Sequence, residues 1–292
     1  LAADVTRAPV LPPLGMPTLG GKQLWGDVFL YGGYRIQRHV RTRVHRLLSP
    51  GDVRLAGGTF ERCHEVFVRL REQRGVEPTS DHLVLLLHGI FRSKDCFGPL
   101  SRALRAAGYD AHGVNYPSTR QGLEDHADQV EELLDRAEGV AMVSFVTHSM
   151  GGIVARVLLA RDDAAWRKRM AVHRLVFIGT PNRGAEIVTR LQDLTPLRAV
   201  AGPSFLSLTP ESAADIPMPT VPFGIIAGGT GRERGMNPLL GGDNDMTVRV
   251  DETRLEGAED FLVVPSTHTF LMTHPEVIRA TVEFLESGSF AA

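Results

Sequence analysis

Ser149 stands where one periodicity gives way to another, inside residues 140–160, VAMVSFVTHSMGGIVARVLLA. Residues 141–146 are a short apolar run of strand length. Residues 150–160 place Ile153, Val157 and Leu158 at helical spacing. The six residues between, Thr147-His148-Ser149-Met150-Gly151-Gly152, leave nothing to spare for a loop. A strand that becomes a helix over one serine holds that serine in a tight, strained turn, its side chain exposed above the sheet. The positive end of the helix favours the negative charge that an attacked ester develops. Ser149 is therefore the candidate nucleophile. Serine alone is a poor one, so a base must take its proton and a carboxylate must orient that base.

The elements that would position such groups begin at residue 81. Strands are expected over 83–87, 111–114, 141–146, 175–178, 223–227 and 261–264, and helices over 97–107, 123–138 and 150–160. Continuous apolar strands separated by helices imply the α/β class, a mostly parallel sheet covered by helices on both faces. Ligands of such sheets bind beyond the carboxyl ends of the strands. The segments His88-Gly89-Ile90-Phe91-Arg92-Ser93, Asn115-Tyr116-Pro117-Ser118 and Gly179-Thr180-Pro181-Asn182 all follow such an end, as Ser149 does. Residues 191–222 break the alternation with six prolines and scattered apolar residues, among them Leu191, Leu194, Leu197, Val200, Phe205, Leu206 and Leu208. They read as a cap or lid inserted over the site.

Residues 1–26, rich in Pro and Gly, read as an irregular arm. Residues 34–54 carry six arginines (35, 38, 41, 43, 46, 54) and one acid, Asp52. Alternation of Arg41, Arg43 and His45 with Val40, Thr42 and Val44 suits a half-exposed strand. The strip is read as a solvated face with acidic neighbours elsewhere in the fold, with contact to anionic lipid or a partner as the rival. Phe60, Cys63, Phe67 and Leu70 fall at helical spacing behind Thr59, a natural N-cap. The expected organisation is an arm and preceding elements over 1–80, packed on a catalytic domain over 81–292.

Composition narrows the classes. At 292 residues, 43% apolar and 23% charged with net charge −2, the chain is ordinary for a globular protein. No global field argues for nucleic acid. Two cysteines, Cys63 and Cys96, make neither a disulfide framework nor a four-ligand metal site and are read as separate thiols. No run approaches the ~20 apolar residues of a spanning helix. Because the chain opens on Leu1, removal of an upstream segment is an expectation, and localisation stays open between cytoplasm and secretion.

The strand-to-His-Gly turn at 83–89, the THSMGG turn at 147–152, the GTPN segment at 179–182, an Asp loop and a late His together resemble the α/β-hydrolase fold family, most closely bacterial lipases and esterases. The resemblance covers roughly residues 80–290. It implies a Ser, acid, His order along the chain. In the family the acid commonly stands three residues before a valine, which selects Asp245 in Gly241-Gly242-Asp243-Asn244-Asp245-Met246-Thr247-Val248; Asp243 and Asp251 are alternates. His268, just past the last strand, is the implied base, with His274 as alternate. Asp245 would hold the His268 tautomer that accepts from Ser149. The oxyanion hole would take the amide of Met150 and that of Phe91, with Ile90 as alternate.

His88 is expected to pack within its turn and His148 to shape the elbow. His112, His126 and His173 are assigned nothing. Substrate-binding residues are expected in Phe91, Arg92, Leu194, Leu197 and Phe205, with Ser93 nearby. One departure is Thr147, where the family usually has glycine because strand and helix pass closely. A rival reading of the acid loop, a calcium site from Asp243, Asn244, Asp245 and Asp251, fails the EF-hand spacing because Val248 stands where glycine is required. The implied reaction is hydrolysis of a carboxylic ester, as an esterase or lipase, through an acyl-enzyme with no metal or organic cofactor. Its substrate would be a small-molecule or lipid ester, with transient contact to a lipid interface. The alternatives are an acyltransferase or amidase with the same triad, or a non-catalytic ligand-binding member of the fold.

Overall fold

A computed structural model describes residues 22–191 and 201–290 of the chain. Six strands form a parallel sheet: β5 (His82–Leu87), β6 (Asp110–Val114), β7 (Met142–His148), β8 (Ala171–Ile178), β9 (Phe223–Gly228) and β10 (Asp260–Val264). Their order is β10-β9-β8-β7-β5-β6, every neighbouring pair parallel. The crossovers carry α2 (Gly98–Ala106), α3 (Leu123–Asp135) and α4 (Met150–Leu159), and α5 (Pro275–Ser287) closes the chain.

Although β5 reads as one apolar run, its pleat divides it. Leu83, Leu85 and Leu87 join Phe145, Phe177 and Ile225 in a core with α3 and α4. Val84 and Leu86 join Val146, Val176 and Ile226 in a second core with α2 and α5. The sheet is thus buried on both faces, and the α/β expectation holds.

Ahead of it lies an antiparallel sheet of β1 (Trp25–Tyr31), β2 (Tyr34–His39), β3 (His45–Leu48) and β4 (Arg54–Gly58), in that order. It packs under α1 (Phe60–Arg74) through Phe29, Tyr31, Tyr34, Leu47, Cys63 and Phe67. Thr59 caps α1, its hydroxyl accepting from Arg62 N at 3.3 Å. Two expectations are corrected here. Residues 40–44 are the turn between β2 and β3, not a strand: His39 Nδ1 accepts from the Arg41 and Thr42 amides, and Arg43 takes φ +58°. The basic strip has the expected acidic neighbours, but Arg35 is buried rather than solvated. Arg35 pairs with Asp27 and Arg38 with Glu132, while Arg46 lies over the Trp25 ring. Of the expected irregular arm, residues 1–21 lie outside the described residues and Trp25 already begins β1.

Cys63 and Cys96 are both free thiols. Leu194, Leu197 and Val200 of the expected cap lie outside the described residues. Residues 201–222 hold two short helical turns, Pro203–Leu206 and Pro210–Ala214, with Phe205 and Leu208 sunk in the core beside α4. The buried Arg156 of α4 ties this segment down. Its guanidinium donates to the carbonyls of Asn182 at 2.7 Å, Pro217 at 3.3 Å and Ile216.

Candidate active site

Ser149 is the single residue between β7 and α4, at φ 55°, ψ −128°. A non-glycine residue there costs on the order of 1–3 kcal/mol and persists only when its surroundings over-determine it. Ser149 N donates to Ile178 O and Gly152 N to Ser149 O, both at 3.0 Å. Close passage explains the small residues beyond it: a Cβ on Gly151 would lie 2.1 Å from Leu87 O. Thr147 fits its place because its side chain stays within the sheet, the buried hydroxyl donating to Val176 O at 3.1 Å. The tight packing falls on Gly151 rather than on Thr147.

The loops after β9 and β10 bring Asp245 and His268 to Ser149. His268 Nδ1 lies 2.7 Å from Asp245 Oδ2, and His268 Nε2 lies 2.9 Å from Ser149 Oγ. A buried carboxylate facing Nδ1 keeps the proton there, so Nε2 is the acceptor of the serine hydroxyl. Asp245 is fully buried, and its other oxygen accepts from the amides of Thr247 at 3.0 Å and Val248 at 2.8 Å. The two loops are also joined by backbone, His268 N donating to Asp245 O at 2.8 Å.

The alternates are held elsewhere. Asp243 accepts from the amides of Thr230 and Gly231, at 2.7 and 2.8 Å, and Asp251 is paired with Arg249. Those bonds close the acid loop around protein donors, with Asn244 bridging Asn237 and Gly242. Among the described residues no three His, Cys, Asp or Glu side chains gather as a metal site. His274 caps α5 and makes no bond to Ser149 or Asp245.

His88 lies stacked on Tyr116, ring centroids 4.1 Å apart, its Nδ1–H donating to Gly89 O at 2.8 Å; burial pushes it down to about 4, so the ring is neutral. His148 does something the sequence reading missed. Its Nε2–H donates to the carbonyl of His268 at 3.0 Å, linking the neighbour of Ser149 to His268. A carbonyl only accepts, so Nδ1 is bare; burial, and the His268 ring beside it, hold His148 far below the ordinary histidine range. A histidine beside the serine was the available signal, but its bond spans 120 residues and no local pattern reports it.

The turn after β5 closes with Arg92 N donating to Gly89 O at 3.3 Å, Phe91 taking φ +60°. Gly89 lies against Ser149: a Cβ there would sit 2.8 Å from Ser149 Cβ. The Ile90 amide follows that contact directly and the Phe91 amide one residue later. Met150 N belongs to the first turn of α4, where an amide has no partner within the helix. Of the expected substrate contacts, Phe91 is half exposed at the mouth. Arg92 reaches Thr269 O at 3.4 Å, while Phe205 is buried.

Residues 52–221 match the model of a family described as a domain of unknown function, DUF7379. Among solved structures, the chain is similar to the mature form of the Bacillus licheniformis lipase BlEst2, at 18% identity and TM-score 0.54 over 65% of this chain and 85% of that one. It is similar to the metagenomic carboxyl esterase MGS0156, at 16% and 0.54 over 72% and 77%. It is also similar to the phospholipase PlaB of Legionella pneumophila, at 15% and 0.52 over 72% and 59%. These likenesses show the α/β-hydrolase fold. A search of curated protein sequences finds no match.

Proposed function

The chain belongs to the DUF7379 family, whose description assigns no activity, and from its site we propose a serine hydrolase of carboxylic esters. The observation that carries the reading is the unbroken line from Asp245 through His268 to Ser149, at 2.7 and 2.9 Å, ending on a serine held at positive φ. Ser149 Oγ attacks the ester carbonyl while His268 Nε2 takes its proton. Asp245 stabilises the imidazolium that forms. The oxyanion is received by the Met150 amide and by the turn after Gly89. The contact of Gly89 with Ser149 favours the Ile90 amide over that of Phe91. His268 then protonates the leaving alcohol, and water activated by the same nitrogen frees the acid. The lipase, carboxyl esterase and phospholipase that share the fold agree on ester substrates, which favours esters over amides for this site.

Ser149→Ala is expected to lower kcat on p-nitrophenyl esters by on the order of a million-fold. A fluorophosphonate probe should label the parent protein at Ser149. Near-normal turnover by the variant, or no labelling of the parent, overturns the reading.

A further inference from the structure

Of the large apolar side chains exposed among the described residues, four stand on the loops that carry the proposed active site. Phe91 is 49% exposed, Met246 beside Asp245 is 46%, Phe270 two residues past His268 is 64%, and Leu239 is 77%. They form one rim. Arg92 joins the Phe91 turn to the Phe270 turn through Thr269 O, and Asn237 bonds both Met246 O and Leu239 N. A contiguous exposed apolar patch around a site marks a surface that meets something apolar.

Charge on the same loops says what kind of surface. Among the described residues Arg92, Arg183, Arg232 and Arg234 make no ion pair, and the last three are exposed. The carboxylates of these loops are mostly spoken for: Asp95 by Lys22 and Lys94, Asp243 by Thr230 and Gly231, Asp245 by His268. Glu233 is the acid left exposed among them. Exposed apolar side chains and unpaired arginines on the same loops fit an anionic phosphate-rich surface over an apolar interior.

We propose that this edge of the molecule docks on an anionic phospholipid bilayer, with Phe270, Leu239, Met246 and Phe91 at the acyl boundary and the four arginines on headgroup phosphates. Ser149 would then open onto the layer from which a lipid ester is drawn. The proposal rests on the ester-hydrolase reading, and its test is built to fail separately.

The test uses the Ser149→Ala protein, which leaves vesicles intact, sedimented with phosphatidylglycerol or phosphatidylcholine vesicles. Binding to phosphatidylglycerol and its weakening by salt are expected. Arg232→Glu with Arg234→Glu should lower that binding by more than tenfold, at about fivefold for each charge lost near the surface. Phe270→Ser with Leu239→Ser should lower it by about tenfold or more, from apolar area left in water. No binding to either vesicle, equal binding to both, or binding untouched by the paired substitutions overturns the proposal. So does a lipid-free dimer, seen by sedimentation velocity, that Phe270→Ser with Leu239→Ser dissolves. Turnover of soluble esters without vesicle binding would sink the docking face alone; absence of turnover in the parent would sink the hydrolase reading.

Discussion

Two buried carboxylates, one on a strand of the antiparallel sheet and one on a loop beyond the parallel sheet, are held in opposite ways. Asp27 of β1 is 1% exposed and lies against a permanent cation, Arg35 Nη1 at 2.7 Å, with Gln37 Nε2 and Asn115 N also at 2.7 Å. Asn115 follows β6, so this cluster fastens the antiparallel sheet to the parallel one, and Gln129 of α3 reinforces it through Asp27 O and Asn115 O at 2.9 Å. Asp245 is as deeply buried, yet its partners are two backbone amides and an imidazole. A guanidinium is charged at all working pH values, so the field of Asp27 is spent on a fixed partner. Imidazole acquires charge only when it takes a proton, so the field of Asp245 is held for that moment. Burial alone therefore does not separate a structural carboxylate from the one proposed for catalysis; whether its partner carries a permanent charge does.

Substitution to the neutral isostere should split the two cleanly. Asp245→Asn keeps the shape but no longer selects Nδ1–H, and kcat on a soluble ester should fall by on the order of ten-thousand-fold. Less than a tenfold fall would remove Asp245 from the mechanism. Asp27→Asn should leave kcat of the folded protein near the parent value and cost stability instead. It strands Arg35, whose remaining acid, Asp52, is 4.0 Å away, and the expected loss is about 3 kcal/mol by urea denaturation. If Asp27→Asn silenced turnover with its urea midpoint unchanged, the contrast would collapse.

The parallel sheet was legible because most of its strands hold a short apolar run closed by a turn, a signal that needs no partner to be read. Ser149 was legible for the same reason: strand, serine and helix are consecutive, and the strained turn follows from having no residues to spare. Asp243 and Asp245 were harder to part. Both accept backbone amides within one loop, and what distinguishes them is the approach of the loop after β10, a contact across 23 residues. Least legible was the antiparallel sheet. In Tyr34-Arg35-Ile36-Gln37-Arg38-His39 the polar positions are not turned to water; Arg35 and Gln37 are buried against Asp27. A buried ion network has the composition of a solvated face, and the alternation over residues 40–45 lies beyond it, in a turn whose polar residues mimic a half-exposed strand.

The smallest effect concerns histidines that burial keeps neutral. His126 is fully buried behind Tyr116, ring centroids 4.8 Å apart, with neither ring nitrogen bonded among the described residues. Burial, with a smaller push from His88, lowers it to about 3, and burial lowers His88 to about 4 against the pull of its Gly89 bond. Both values fall below the ordinary 6.5, so between about pH 6.5 and 4 the unfolded chain binds more protons than the folded one. Stability is then full above pH 6.5 and drains as the pH falls, at about 1.4 kcal/mol per pH unit for each such group. His126→Leu removes one of them along with two unbonded polar atoms. Its Tm should equal or exceed the parent's at pH 5, and its Tm should fall less steeply between pH 6 and 4.5. An acid limb as steep as the parent's would mean that His126 is not neutral in the folded protein, or that water reaches its ring.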